Sequence, residues 1–281
     1  MNPRRLLLAL ALSGLTPTLL ACGSSEEPLG QTSTDEGSGE TSSGVATIEG
    51  TVRLAAGAEV GRYPENPMVG GRGQPELAEA CTPPREDDRE PVRRNPDGSL
   101  TGVLVAMADF QRDIPHEAET HTLSIIDCRL TPRLIVATRG DTLLMRNETD
   151  YPYLPDFGTG MMRALLHNEE RTTELGQGGV RSLSCGFAAP CGRAEIVTLY
   201  HPLHAITDES GHYRIEGVPA GEALRINAWH PLFVESNETL TLRSGETRTV
   251  DMVLRPADIP EPASPSTFEG HPEDDPNNPL Y

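Results

Sequence analysis

Residues 205–230, AITDESGHYRIEGVPAGEALRINAWH, alternate apolar and polar side chains between breaks made of turn-forming residues. Tyr213 and Ile215 alternate with Arg214 and Glu216. Farther on, Leu224, Ile226 and Ala228 alternate with Arg225 and Asn227. Successive side chains of a strand point to opposite faces, so each run offers one face to a core and one to water. The breaks are Asp208-Glu209-Ser210-Gly211 and Val218-Pro219-Ala220-Gly221. Glycine supplies positive φ and proline presets φ there. Such a stretch can bury its apolar face only within sheets.

The same grammar runs through residues 45–255. Residues 46–54 alternate, whereas 100–108 (LTGVLVAMA) are almost continuously apolar, as a central strand covered on both faces would be. Further strands are predicted over 122–126, 134–138, 142–146, 180–184, 195–200, 239–242 and 247–254, with Arg139-Gly140-Asp141 as a tight turn. The pattern predicts an all-β sandwich. Residues 160–174 have helical spacing through Met161, Leu165, Leu166 and His167, which predicts a short helical turn. Residues 57–97 and 149–160 form long loops, and Tyr151, Tyr153 and Phe157 of the second are candidate contacts for a partner.

Thr207 to Gly221 resembles the hallmark run of the carboxypeptidase regulatory-like (transthyretin-like) β-sandwich module, and Gly50-Thr51-Val52 fits that module's opening strand. Residues 128–150, CRLTPRLIVATRGDTLLMRNETD, resemble part of a cupredoxin (plastocyanin-like) domain. That resemblance implies a copper-binding His soon after the Asn147 corner, where Tyr151, Pro152, Tyr153 and Leu154 stand. It also implies a later Cys, His and Met. Cys185 matches the thiolate, Ala188 or Ala189 stands for the His and Cys191 for the Met. Together the resemblances imply a cupredoxin-like sandwich over 45–200, its first strand assignable to either module, and a regulatory-like module over 201–255.

Both ends read as something other than fold. Residues 1–21 carry Arg4 and Arg5 before a short apolar run, and Leu19-Leu20-Ala21-Cys22 resembles the bacterial lipobox. This implies a signal peptide over 1–21, acylation of Cys22, and a body held on the outer membrane or elsewhere in the cell envelope without spanning it. Residues 22–44 are Ser/Gly/Thr/Glu-rich and predict a flexible tether; 256–281 predict a disordered, acidic, Pro-rich tail. The formal net charge is −19, and removing 1–21 takes away two arginines and no acid. Such a surface argues against nucleic acid as a partner.

Beyond Cys22 remain Cys81, Cys128, Cys185 and Cys191, an even number in an exported chain, with three possible pairings. The pairing Cys81–Cys128 with Cys185–Cys191 is favoured because the second pair is close in sequence and separated by Gly186 and Pro190. The metal-ligand candidates are Cys185, His201, His204 and His230, and copper is the metal that the cupredoxin resemblance would supply. His201 and His204 can chelate together only if Pro202 bends the strand. There is no Gly-x-Ser-x-Gly elbow, phosphate-binding glycine loop or His-Glu-x-x-His. The expected role is therefore non-catalytic, binding an envelope protein or a glycan, with no cofactor. A copper or other metal redox protein and an envelope hydrolase are the alternatives.

Overall fold

A computed structural model of the chain describes residues 44–63, 89–110, 113–157, 163–185 and 191–258. The predicted signal sequence, Cys22, the predicted tether, Cys81, Met161 and residues beyond 258 lie outside these. Every named element among the described residues is a strand, in agreement with the all-β expectation.

Four main sheets stack in sequence. In the first, β14 (His212–Pro219), β1 (Val45–Leu54), β19 (Met252–Pro256) and β16 (Phe233–Val234) lie side by side, with β18 (Thr247–Thr249) also pairing β1. The second runs β13 (His204–Ile206), β4 (Leu104–Ala108), β15 (Ala223–Trp229), β17 (Ser236–Thr241). The third runs β7 (Leu134–Thr138), β12 (Arg193–Leu199), β11 (Gly179–Cys185), β9 (Pro155–Asp156). The fourth runs β10 (Glu170–Glu174), β8 (Thr142–Asn147), β5 (Thr120–Ile126), β6 (Arg129–Thr131). A small ribbon joins β2 (Arg93–Arg94) to β3 (Leu100–Thr101).

Three cores separate the four sheets, and strand parity shows how. Ile48, Val52 and Leu54 of β1 meet Val105 and Met107 of β4 and Leu224 and Ile226 of β15 in one core. The other face of β4, Leu104 and Ala106, joins Leu134 and Val136 of β7 and Val197 and Leu199 of β12. The opposite faces of β7 and β12, Ile135, Ala137 and Ile196, pack on Leu123, Leu143 and Met145 in the third core. Strands β4 and β7 are consequently buried along their whole length, which accounts for the uninterrupted apolar run at 104–108.

Strand β1 hydrogen-bonds with β14 and β19, and β4 with β13 and β15, so both join strands that follow residue 200. For β1 this fits the resemblance of Gly50-Thr51-Val52 to the opening strand of the later module. One expectation is corrected: the helical turn predicted within 160–174 is absent from the described part of that segment. Leu165 is fully buried while Leu166 is 55% exposed, and β10 follows in extended conformation against β8. The leucine spacing arises from a bridge between Leu165 and Tyr153, not from a helix face.

Candidate functional site

Cys185 closes a disulfide with Cys191, Cα–Cα 5.4 Å, as the sequence favoured. Cys128 is disulfide-bonded as well, and its expected partner Cys81 lies outside the described residues. Oxidation removes the thiolate that a copper site would require of Cys185, so this residue is withdrawn as a metal ligand. Tyr153 is withdrawn from the aromatic contact surface: it is fully buried, with its backbone paired to Leu165 in both directions. Phe157 is partly buried against the same core, and Tyr151 is 37% exposed. The corner Asn147 explains the geometry. Its side chain donates to the carbonyls of Tyr151 and Leu165 and folds the loop so that Tyr153 points inward.

The three candidate histidines do not meet. His230 is fully buried beside Tyr63, Trp229 and Phe233, its Nδ1 accepting from the Leu232 amide and its Nε2 without a partner. Burial, then the nearby Arg193, push its pKa down to about 3, so it is neutral. His201 and His204 lie on either side of the bend at Pro202, near enough for a charge on one to disfavour a charge on the other. His201 accepts from the Leu203 amide and packs edge-on against Phe110. Among the described residues, no group of three or more His, Cys, Asp or Glu side chains is placed to hold a metal ion.

Two buried carboxylates organise what the sequence reading missed. Asp141, in the turn between β7 and β8, accepts from His116 Nε2 at 2.6 Å and the Glu119 amide at 2.9 Å on Oδ1. Its Oδ2 takes His121 Nε2 at 2.8 Å and the Thr138 amide at 2.7 Å. Burial pushes this carboxyl up, but the four donors together hold it well below the usual carboxylate range. Glu195 of β12 is likewise buried and accepts from Tyr63 Oη, Ser182 Oγ and Arg193 Nε, while the Arg193 guanidinium lies 4.4 Å over the Tyr63 ring. Burial, then Glu195, push the Tyr63 phenol far up, so it stays a donor. The signal for Glu195 was an acid inside the apolar run 194–200. Asp141 had none beyond its turn, because its partners are 20 and 25 residues away.

A groove of about 680 Å³ opens on the outer face of the first sheet. Its lining alternates acids with bases: Glu49, Asp208 and Asp251 against Arg53, His212 and Arg214. Thr51 pairs with His212 across the strands and its amide donates to Asp251. Tyr213 beneath is buried, its hydroxyl donating to the Val250 carbonyl.

No family model and no curated protein matches this sequence. Part of the chain is similar to solved cupredoxins. Amicyanin from Paracoccus versutus is 15% identical over 31% of this chain and 85% of its own, with a TM-score of 0.26. A purple cupredoxin from Nitrosopumilus maritimus is 14% identical over 29% of this chain and 99% of its own, with a TM-score of 0.25.

Proposed function

We propose that this chain is a lipid-anchored protein of the bacterial cell envelope whose stacked sandwiches form a non-catalytic binding body, with the groove over β1, β14 and β18 as its contact surface. The observation that carries this reading is the Cys185–Cys191 disulfide, which uses up the thiol that copper redox chemistry would need. Anchoring rests on the Leu-Leu-Ala-Cys run ending at Cys22. No cofactor forms part of the reading.

The groove's chemistry suits a polypeptide partner. Interleaved acids and bases complement an extended segment carrying both signs of charge, and such patterning sets specificity and on-rate. A glycan is the poorer fit, because the aromatic ring in the lining, that of Tyr213, is buried and offers no stacking face.

Reversing two groove charges, Arg53→Glu with Arg214→Glu, is expected to reduce retention of the crosslinked envelope partner at least tenfold. Both side chains are roughly half exposed, in surface ion pairs with Asp97 and with Glu49 and Glu216. Stability should therefore shift by less than about 1 kcal/mol. Unchanged retention of the variant would contradict the groove assignment, and release of the partner by glycosidase would replace the polypeptide with a glycan.

A further inference from the structure

Among the described residues β1 is the first strand and β19 the last, and the two are neighbours that run the same way. Thr47, Ile48 and Glu49 lie opposite Thr247, Arg248 and Thr249 of β18. Val52, Arg53 and Leu54 lie opposite Met252, Val253 and Leu254 of β19 with the same offset. Because this pairing is parallel, the chain enters the ladder at Val45 on one end and leaves it at Pro256 on the other.

Backbone bonds close the ladder along its length. The Gly245 amide donates to the Val45 carbonyl and the Thr47 amide to the Glu246 carbonyl, both at 2.8 Å. The Val250 amide reaches the Glu49 carbonyl at 2.8 Å, and the Ala55 amide the Leu254 carbonyl at 2.9 Å. Where β18 passes into β19, the Thr51 amide donates to Asp251 Oδ1 at 2.8 Å, and the buried Tyr213 hydroxyl reaches from β14 to the Val250 carbonyl. Ile48, Val52, Leu54, Val250, Met252 and Leu254 seal the inner side in one core. On its other flank β1 pairs antiparallel with β14, from Val45 opposite Pro219 to Thr51 opposite His212, so the first strand is an interior strand of its sheet.

A pull on the two ends of the chain therefore acts along neighbouring strands in opposite directions. It shears the ladder, so the bonds share the load and must yield together. A pull on both strands from one end would open them one at a time. Everything from β2 to β17 lies outside the force path while the ladder holds. That includes the seam where β4 meets β7 and β12, and the connector from β4 to β5 that crosses it.

The geometry points to a tension-bearing link: a pull between the chain before β1 and the chain after β19 is carried in shear by β1, β18 and β19. The source of the load rests on the lipid anchor proposed at Cys22. The groove lies on the outer face of the same strands, with Glu49, Thr51, Arg53, Thr249 and Asp251 in its lining, so it keeps its register under load until the ladder yields. A membrane-held body whose partner is drawn away from the membrane needs such a link.

Single-molecule force spectroscopy of the full mature chain, produced without the lipid, tests it in two pulling geometries. In the first, the chain is held through Cys22 and its C-terminus. In the second, Thr247→Cys is held through Cys22 and position 247, which is exposed and lies opposite Thr47 at the entry end of the ladder. The first yield should need at least about twice the force end to end as in the second geometry at equal pulling speed, because forced unfolding is governed by the barrier that the load meets. Equal forces overturn the link. A first end-to-end step whose added length matches the third and fourth sheets, 120–199, overturns it as well, since load would then reach them before the ladder breaks. That second outcome needs no variant and decides even if Thr247→Cys does not fold. The force is read on unacylated protein, so its failure speaks against the link alone, whereas a native Cys22 without lipid speaks against the anchor.

Discussion

Replacing Asp141 by Asn is expected to destabilise the body by about 3 to 5 kcal/mol, the range found when one partner of a buried charge network is removed. The amide keeps the shape but turns one acceptor into a donor. Either the His116 and Glu119 N–H groups or those of His121 and Thr138 then face an NH₂. The loss falls on three places at once: the turn after β7, the start of β5 and the connector between sandwiches. The pH dependence has a definite sign. The folded-state pKa of Asp141 is lowered, so its contribution is complete above the ordinary carboxylate pKa and fades as pH falls through the folded value. Denaturant melts at pH 7 and pH 5 should show nearly the same gap between wild type and Asp141→Asn. Equal stability of the two proteins at pH 7 would contradict the role given to the four donors.

Gly50→Ala should be of comparable size. Gly50 sits on the inward-facing side of β1, where a Cβ would lie 1.9 Å from the Val250 carbonyl oxygen and 3.1 Å from the Tyr213 ring. The oxygen is backbone and also accepts the Tyr213 hydroxyl, so neither neighbour can give way alone. Overpacking of this kind costs roughly 3 kcal/mol or more. For a body of this size that is a fall of about 10 °C in melting temperature. Thr247→Ala, an exposed position on the neighbouring β18, is the control and should shift the melt by no more than about 0.5 kcal/mol. A Gly50→Ala protein that melts with wild type would mean that β1 and the chain at Val250 stand farther apart than described.

These residues also mark how far the sequence could be read. Alternation located β14 and β15, and the continuous apolar run at 104–108 announced a strand covered on both faces, because both patterns are local consequences of burial. The pairing of Cys185 with Cys191 was legible for the same reason, the two being six residues apart. Partners fixed by non-local pairing were not legible. His121 reaches Asp141 because β5 and β8 run parallel, Thr120 opposite Thr142, and nothing near either residue encodes that register. The membership of β1 in the C-terminal sheet pair was legible only through the resemblance of Gly50-Thr51-Val52 to an opening strand, because its partners β14 and β19 lie at the other end of the sequence. Tyr153 failed as a surface candidate because an aromatic in a Pro-rich loop looks the same from sequence whether a corner such as Asn147 turns it in or out.

The electrostatic nodes share a design. Asp141 and Glu195 are buried carboxylates, and each ties the seam from a different side: Asp141 holds the connector, and Glu195 holds Tyr63 from the chain that follows β1. Burying a charge is costly unless every lone pair is used, which is why each is surrounded by three or four donors. The seam is thus specified by polar geometry as well as by the apolar contacts of β4, β7 and β12.

Oxidation of Cys185 separates a binding body from a copper protein, and a non-reducing peptide map of the mature protein purified from membranes, with metal content measured on the same sample, tests it directly. The prediction is a linked peptide pair joining Cys185 to Cys191, an acylated Cys22 and no stoichiometric copper. A free Cys185 thiol accompanied by about one copper per chain would contradict it, and would return the protein to the metal-binding class.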